Sequence, residues 1–252
     1  MSLRFVVVAE DRLGFRLATD LCDRVVAERS TWLRDHWQDE ASRGQHRTWS
    51  GLEPTYRPWS SRGDLKRLAK QLRVHGHGET AEGAIARKAV VVASMLREKT
   101  DALFLVHDTD GDGETAGRMR EAARPRGGAV HGFEVLVAAS HPEAEAWVAA
   151  GITPLTPEER DAREAEQARL GFDPTAHPER LSSGKAADKR DAKQTCQRIL
   201  GDREENAERW ERCWKETPLE VLETRGEGAG LAAYTREVEE RVLPLLGDRA
   251  SR

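Results

Sequence analysis

The chain has 252 residues, with 40 Lys plus Arg set against 44 Asp plus Glu for a net charge of −4. That balance excludes a histone-like polycation, and an apolar content of 38% is enough for a folded core in one or two domains of roughly 150 residues. The basic residues are 32 Arg and 8 Lys, a bias that serves phosphate recognition through the guanidinium fork or else reflects codon usage. No stretch approaches the roughly 18 apolar residues of a membrane span, and the run Phe5 to Ala9 is too short for a signal peptide. A cytoplasmic protein with no membrane partner is expected. Cys22, Cys196 and Cys213 lack the spacing of a zinc knuckle or a disulfide framework.

The first predicted element is a buried strand, RFVVVAE over 4–10, which ends in a carboxylate. Leu17, Leu21, Cys22, Val25 and Val26 then recur at helical spacing, predicting a helix over 12–28. From 41 to 77 eight Lys or Arg are opposed only by Glu53 and Asp64, a segment charge of +6, with Trp49, Tyr56 and Trp59 interleaved. A short strand near 47–51 and a helix over 64–73 fit within it. Arg43, Arg47, Trp49, Arg57, Trp59, Arg62, Lys66, Arg67, Lys70 and Arg73 are candidates to bind DNA or RNA, cations on phosphates and rings on unpaired bases. The competing reading is a solvated loop whose charges serve solubility.

Thr80 is the predicted cap for a helix over 80–99. ALFLVH, 102–107, is a second buried strand that runs into DTDGDGE, followed by a helix over 114–124. FEVLVA, 133–138, is a third. Ser140 and Glu143 have the spacing of a capping box for the helix that carries Trp147. Thr156 with Pro157 and Glu159, and Thr217 with Pro218 and Glu220, repeat one helix-start signal of cap, Pro and Glu. A long loop is expected over 171–193. Trp210, Cys213 and Trp214 make one helical core stripe, and Leu231, Tyr234, Val238, Val242 and Leu245 another. The fold class expected is α/β, a mostly parallel sheet of about four strands flanked by helices. The sheet domain would occupy 1–150, with 41–77 as a basic insertion, and a helical extension over 151–252 would pack on it.

Parallel sheets place chemistry just beyond the carboxyl ends of their strands. Glu10 ends the first strand, and Asp108, Asp110 and Asp112 end and follow the second, so all four carboxylates can meet at one edge. If the chain stays extended past His107, Asp108 and Asp110 address one ion together. Crowded carboxylates call for a cation, and hard oxygen ligands favour magnesium, manganese or calcium over zinc. The competing reading is that Asp-Gly pairs simply turn the chain. A calcium-hand loop is disfavoured because its twelfth position is Met119 and a strand precedes it. A haloacid-dehalogenase-like phosphatase would use Asp108 as nucleophile and Asp110 as acid/base. Asp112 then replaces the expected Thr, and no later strand ends in paired acids.

An acidic residue ending the first strand and a DxD ending a later one together resemble the TOPRIM domain of topoisomerases, primases and several nucleases. PEAEAWV, 142–148, is similar to the P-E-x-E-A-W-L stretch of a TOPRIM-like bacterial family, domain of unknown function 4276. RDAKQTCQRIL, 190–200, and the closing GLAAYTREVEERVLPLL resemble further segments of that family. The resemblance implies a magnesium- or manganese-dependent nuclease, with a link to antiphage defence. It makes Glu10 a general acid/base or metal ligand, Asp108 and Asp110 metal ligands, and Asp112 a helper. Glu145, or else Glu143, would complete the metal site, as a Glu does in overcoming-lysogenization-type nucleases. Lys193 is a candidate to stabilise phosphoryl charge. Where TOPRIM enzymes often have Glu-Gly, this chain has Glu10-Asp11. The alternative function is a non-catalytic subunit that uses the same fold to bind a protein partner such as an ATPase.

Overall fold

The first β-branched run forms β1 (Leu3–Ala9), buried at every position but Arg4. The structure is a computed structural model, and it describes residues 2–31, 33–37, 39–52, 61–74, 80–96, 98–124, 132–184 and 188–247. After β1, Asp11 accepts the Gly14 N–H at 2.7 Å and so caps α1 (Arg12–Arg29), whose stripe of Leu17, Leu21, Cys22, Val25 and Val26 is buried. Within the basic stretch lie α2 (Glu40–His46), β2 (Arg47–Ser50) and α3 (Ser61–Gln71). Then come α4 (Ala81–Ser94), β3 (Ala102–Asp108), α5 (Thr115–Ala123) and β4 (Glu134–Ser140). The remainder is α6 (Ala144–Ala150), α7 (Pro157–Leu170), α8 (Ala192–Leu200), α9 (Ala207–Lys215), α10 (Leu219–Arg225) and α11 (Leu231–Gly247).

The fold is α/β: a four-stranded, all-parallel sheet of order β2-β1-β3-β4, flanked by helices. Phe5 lies opposite both Trp49 and Ala102, and Ala9 lies opposite Val106. Because strand side chains alternate, Val6, Val8, Leu103, Leu105, Val137 and Ala139 share one face, where they pack on apolar residues of α3, α4 and α5. Phe5 and Phe104 fall on the other parity and meet the Trp49 ring, with centroids 5.2 and 4.9 Å away. Near the C-terminus, the Tyr234 hydroxyl donates to Ala18 O at 2.6 Å, and Glu237 accepts the Val137 N–H at 3.0 Å while pairing with Arg120.

Contacts divide the chain into two units. One comprises Met1–His107, Glu114–Ala139 and Tyr234–Arg252, the other Asp108–Gly113 and Ser140–Ala233. In the second, α6 is buried along its whole length. Its Trp147 indole N–H donates to Ala229 O at 2.7 Å, and the Cys196 thiol of α8 reaches Glu145 O at 3.4 Å.

Two expected features take a different form. Thr156 caps α7 as anticipated, accepting the Glu159 N–H, but Thr217 does not cap α10: its hydroxyl donates to Gly151 O at 2.7 Å, and Pro218 is the N-cap. The segment read as a long loop over 171–193 contains a 3-10 turn, Pro178–Arg180, and a bridge between Ser182 and Asp191. No described helix is long and apolar enough to cross a membrane.

Candidate functional site

In the first unit, register sets the position of Glu10. Ala9 pairs with Val106, so the residues that follow, Glu10 and His107, become neighbours, and Glu10 Oε2 lies 2.9 Å from His107 Nδ1. His107 is buried. Its only signal in the sequence was its place before Asp108 at a strand end. Asp11, which departs from the Glu-Gly pattern, has a local task as the cap of α1.

In the second unit, Asp108 ends β3, and its Oδ1 accepts the Ser140 hydroxyl at 2.6 Å. The Thr109 N–H bonds Ser140 O at 3.0 Å, which ties the two strand ends together. Glu143 stands at the N-cap of α6, and its carboxyl is pushed up to about 8. Burial is the largest cause, followed by the negative charges of Glu145, Asp191 and Asp108. The Lys193 backbone N–H, in the first turn of α8, donates to Glu143 Oε1 at 3.1 Å and partly offsets that push. Glu145 is buried and pairs with Arg203 at 3.7 Å. Asp191 caps α8 by accepting the Gln194 N–H at 2.7 Å.

These positions change several readings of the sequence. Ser140 and Glu143 do not form a capping box: Ser140 is the last residue of β4 and bonds Asp108, while Glu143 makes no side-chain cap bond. Glu143 has Asp108 among the charges acting on it, and among the described residues no cation pairs with it, whereas Glu145 pairs with Arg203. The extended path that would align Asp108 with Asp110 is absent. Asp110 and Gly111 are left-handed, with φ of 50° and 83°, and the Asp112 N–H bonds Thr109 O at 2.9 Å. This is the geometry of a type I′ turn, in which an Asp-Gly pair is favoured, so Asp110 and Asp112 sit exposed on a turn. Lys193 is also exposed, and the contact it makes with Glu143 is through its backbone.

The basic set divides in the same way. Arg47 is 1% exposed and its guanidinium is held by Asp23 and Glu40, so it is a buried ion-pair residue and not a phosphate contact. The Trp49 ring is packed on Phe5 and Phe104 instead of being open to a base. Arg43 pairs with Glu40 at 3.3 Å and Arg67 with Asp64 at 3.0 Å. Lys66, Lys70 and Arg73 are exposed. Arg57, Trp59 and the Arg62 side chain lie outside the described residues.

Among the described residues no three His, Cys, Asp or Glu side chains are grouped so as to hold a metal ion. The three charges that raise the Glu143 carboxyl, those of Glu145, Asp191 and Asp108, are nevertheless all carboxylates, a chemistry suited to a hard cation. Magnesium in particular is commonly bound by one or two carboxylates with water and substrate phosphate supplying the rest. No family model, no curated protein and no solved structure matches the chain.

Proposed function

We propose that the chain is a TOPRIM-like nuclease that hydrolyses phosphodiesters of DNA or RNA with magnesium or manganese, a function consistent with a place in bacterial defence. The observation that carries this reading is the Glu143 carboxyl, raised to about 8 by burial and by Glu145, Asp191 and Asp108 just beyond the ends of parallel strands. A divalent cation is the ligand that relieves such crowding. Asp108 and Glu143 would hold it, and once bound it would supply Lewis-acid stabilisation of phosphoryl charge. The Ser140 hydroxyl fixes the orientation of Asp108, and the Lys193 N–H fixes that of Glu143. Glu10 is the proposed general acid or base, and His107, 2.9 Å away, is the side chain that orients it.

The test is incubation of the full chain with single- and double-stranded DNA and RNA in magnesium or manganese. Cleavage should stop on chelation and fall by at least about a hundredfold in Asp108→Ala and Glu10→Ala. No cleavage of any substrate, or variants as active as the parent, would overturn the proposal. The alternative is a non-catalytic subunit that binds a protein partner such as an ATPase. Calorimetry with manganese separates the two, since binding by the isolated chain supports the nuclease.

A further inference from the structure

A pocket of about 330 Å³ in the first unit is lined by Lys66, Ala69, Lys70, Arg73, Val74 and Lys88. Four of its six lining residues are cations and none is an acid. Lys66, Lys70 and Arg73 are spaced by four and three residues, which puts them on one side of α3 and its end, and α4 contributes Lys88. Among the described residues no carboxylate forms an ion pair with any of the four, whereas Arg67 of the same helix is paired with Asp64. Like charges four apart on a helix destabilise it, so the cluster costs stability unless an anion offsets it.

The backbone at Arg73 adds a second observation. The Val74 N–H bonds Ala69 O at 2.8 Å and the Arg73 N–H bonds Lys70 O, a Schellman-like ending for α3. Arg73 occupies the left-handed position, φ 55°, that glycine takes without strain. The chain therefore keeps an arginine where the fold alone favours glycine, and that arginine lines the pocket.

We propose that this pocket binds a phosphate oligoanion, with two or more phosphates bridging Lys66, Lys70, Arg73 and Lys88. Two sources carry that chemistry, the backbone of a nucleic acid and a free polyphosphate. Lys88 lies outside the basic stretch of the sequence and is brought to it by the packing of α4 on α3. The pocket is independent of the metal reading, because phosphate binding here needs no cleavage.

The experiment measures binding to the full chain in chelator, using fluorescence anisotropy of a 5′-labelled single-stranded oligodeoxynucleotide, with tripolyphosphate as the second probe. Lys66→Ala, Lys88→Ala and Arg73→Gly should each weaken binding by roughly threefold to tenfold, and each should lower the salt dependence by about 0.7 per cation removed. Arg67→Ala removes the same charge from the same helix outside the pocket and should change affinity by less than about twofold. Arg73→Gly should also melt no lower than the parent, which separates lost charge from lost folding. Competition by tripolyphosphate identifies a free polyphosphate as a ligand, and its absence with oligonucleotide binding retained identifies the nucleic-acid backbone. Either result supports the pocket. The proposal is overturned if neither probe binds the parent, if pocket variants bind like the parent, or if Arg67→Ala weakens binding as much as they do. If binding follows the pocket but manganese supports no cleavage, the nuclease reading alone falls.

Discussion

Glu143 links the candidate site to stability in a way that titration reads directly. Its carboxyl rises from an ordinary 4.5 to about 8 in the folded chain, first through burial and then through Glu145, Asp191 and Asp108. A carboxyl with a raised pKa binds its proton more tightly when folded, so stability falls as pH rises from about 4.5 to about 8 and stays low above that. Glu143→Gln removes the titration. The variant should match the parent near pH 4.5 and exceed it at pH 8.5 by about 1 to 2 kcal/mol, after allowance for solvent screening at a partly exposed group. Denaturant melts at the two pH values check this. Equal pH dependence in parent and variant would show that the carboxyl is not held protonated. Manganese should stabilise the parent more at pH 8 than at pH 5 and lose that effect in Glu143→Gln, because a ligating carboxylate must first give up its proton.

At the end of α6, packing leaves no room for a side chain. Gly151 closes the helix, and a Cβ there would stand 2.1 Å from the Cys213 carbonyl oxygen of α9 and 2.6 Å from its carbon. Neither backbone can yield as a side-chain tip does. Gly151→Ala should therefore cost about 1 to 3 kcal/mol and lower Tm by roughly 3 to 10 °C. Gly117→Ala in α5 is the opposite case: the glycine is exposed in a helix with nothing within 4 Å of the new carbon, so Tm should rise slightly. Thermal melts of both variants decide the matter by sign. The elements that sequence made legible are those whose burial leaves a pattern. The three apolar strands and α1 were readable from their runs and spacing, whereas α2 buries none of its residues and so carries no apolar period. The site was legible in part. Glu10 and Asp108 follow from strands that end in acids, but Ser140 and Asp191 enter only through pairings distant in sequence, and the left-handed Asp110 ends the extended path on which a shared Asp108–Asp110 site depended. Arg47 and Trp49 looked like ligand contacts because composition does not distinguish a solvated cation from one paired with a buried Asp23.

At the scale of the whole chain, neither contact unit is contiguous. The first needs α11: Tyr234 bonds Ala18, and Glu237 holds both Arg120 and the Val137 N–H. The second joins the turn after β3 to α6 and the helices beyond it, through Trp147 to Ala229, Cys196 to Glu145 and the His141 N–H to Ala229 O. Residues 1–150 therefore contain the sheet and the candidate carboxylates but lack part of each unit. In the first, loss of Glu237 leaves the partly buried Arg120 guanidinium and the Val137 N–H without their acceptor. In the second, α6 is buried at every position, and removal of α8, α9 and α10 exposes Trp147, Val148 and the alanines around them. A chain ending at residue 150 should show no cooperative unfolding and poor dispersion of amide resonances, and adding residues 151–252 in trans should restore both at best partially. Cooperative melting of 1–150 alone, at a temperature near that of the full chain, would show that the sheet holds its own core without α11. Loss of cooperativity would mean that activity assays of the candidate carboxylates require the full chain, since a silent fragment then reports an unfolded protein and says nothing of its chemistry.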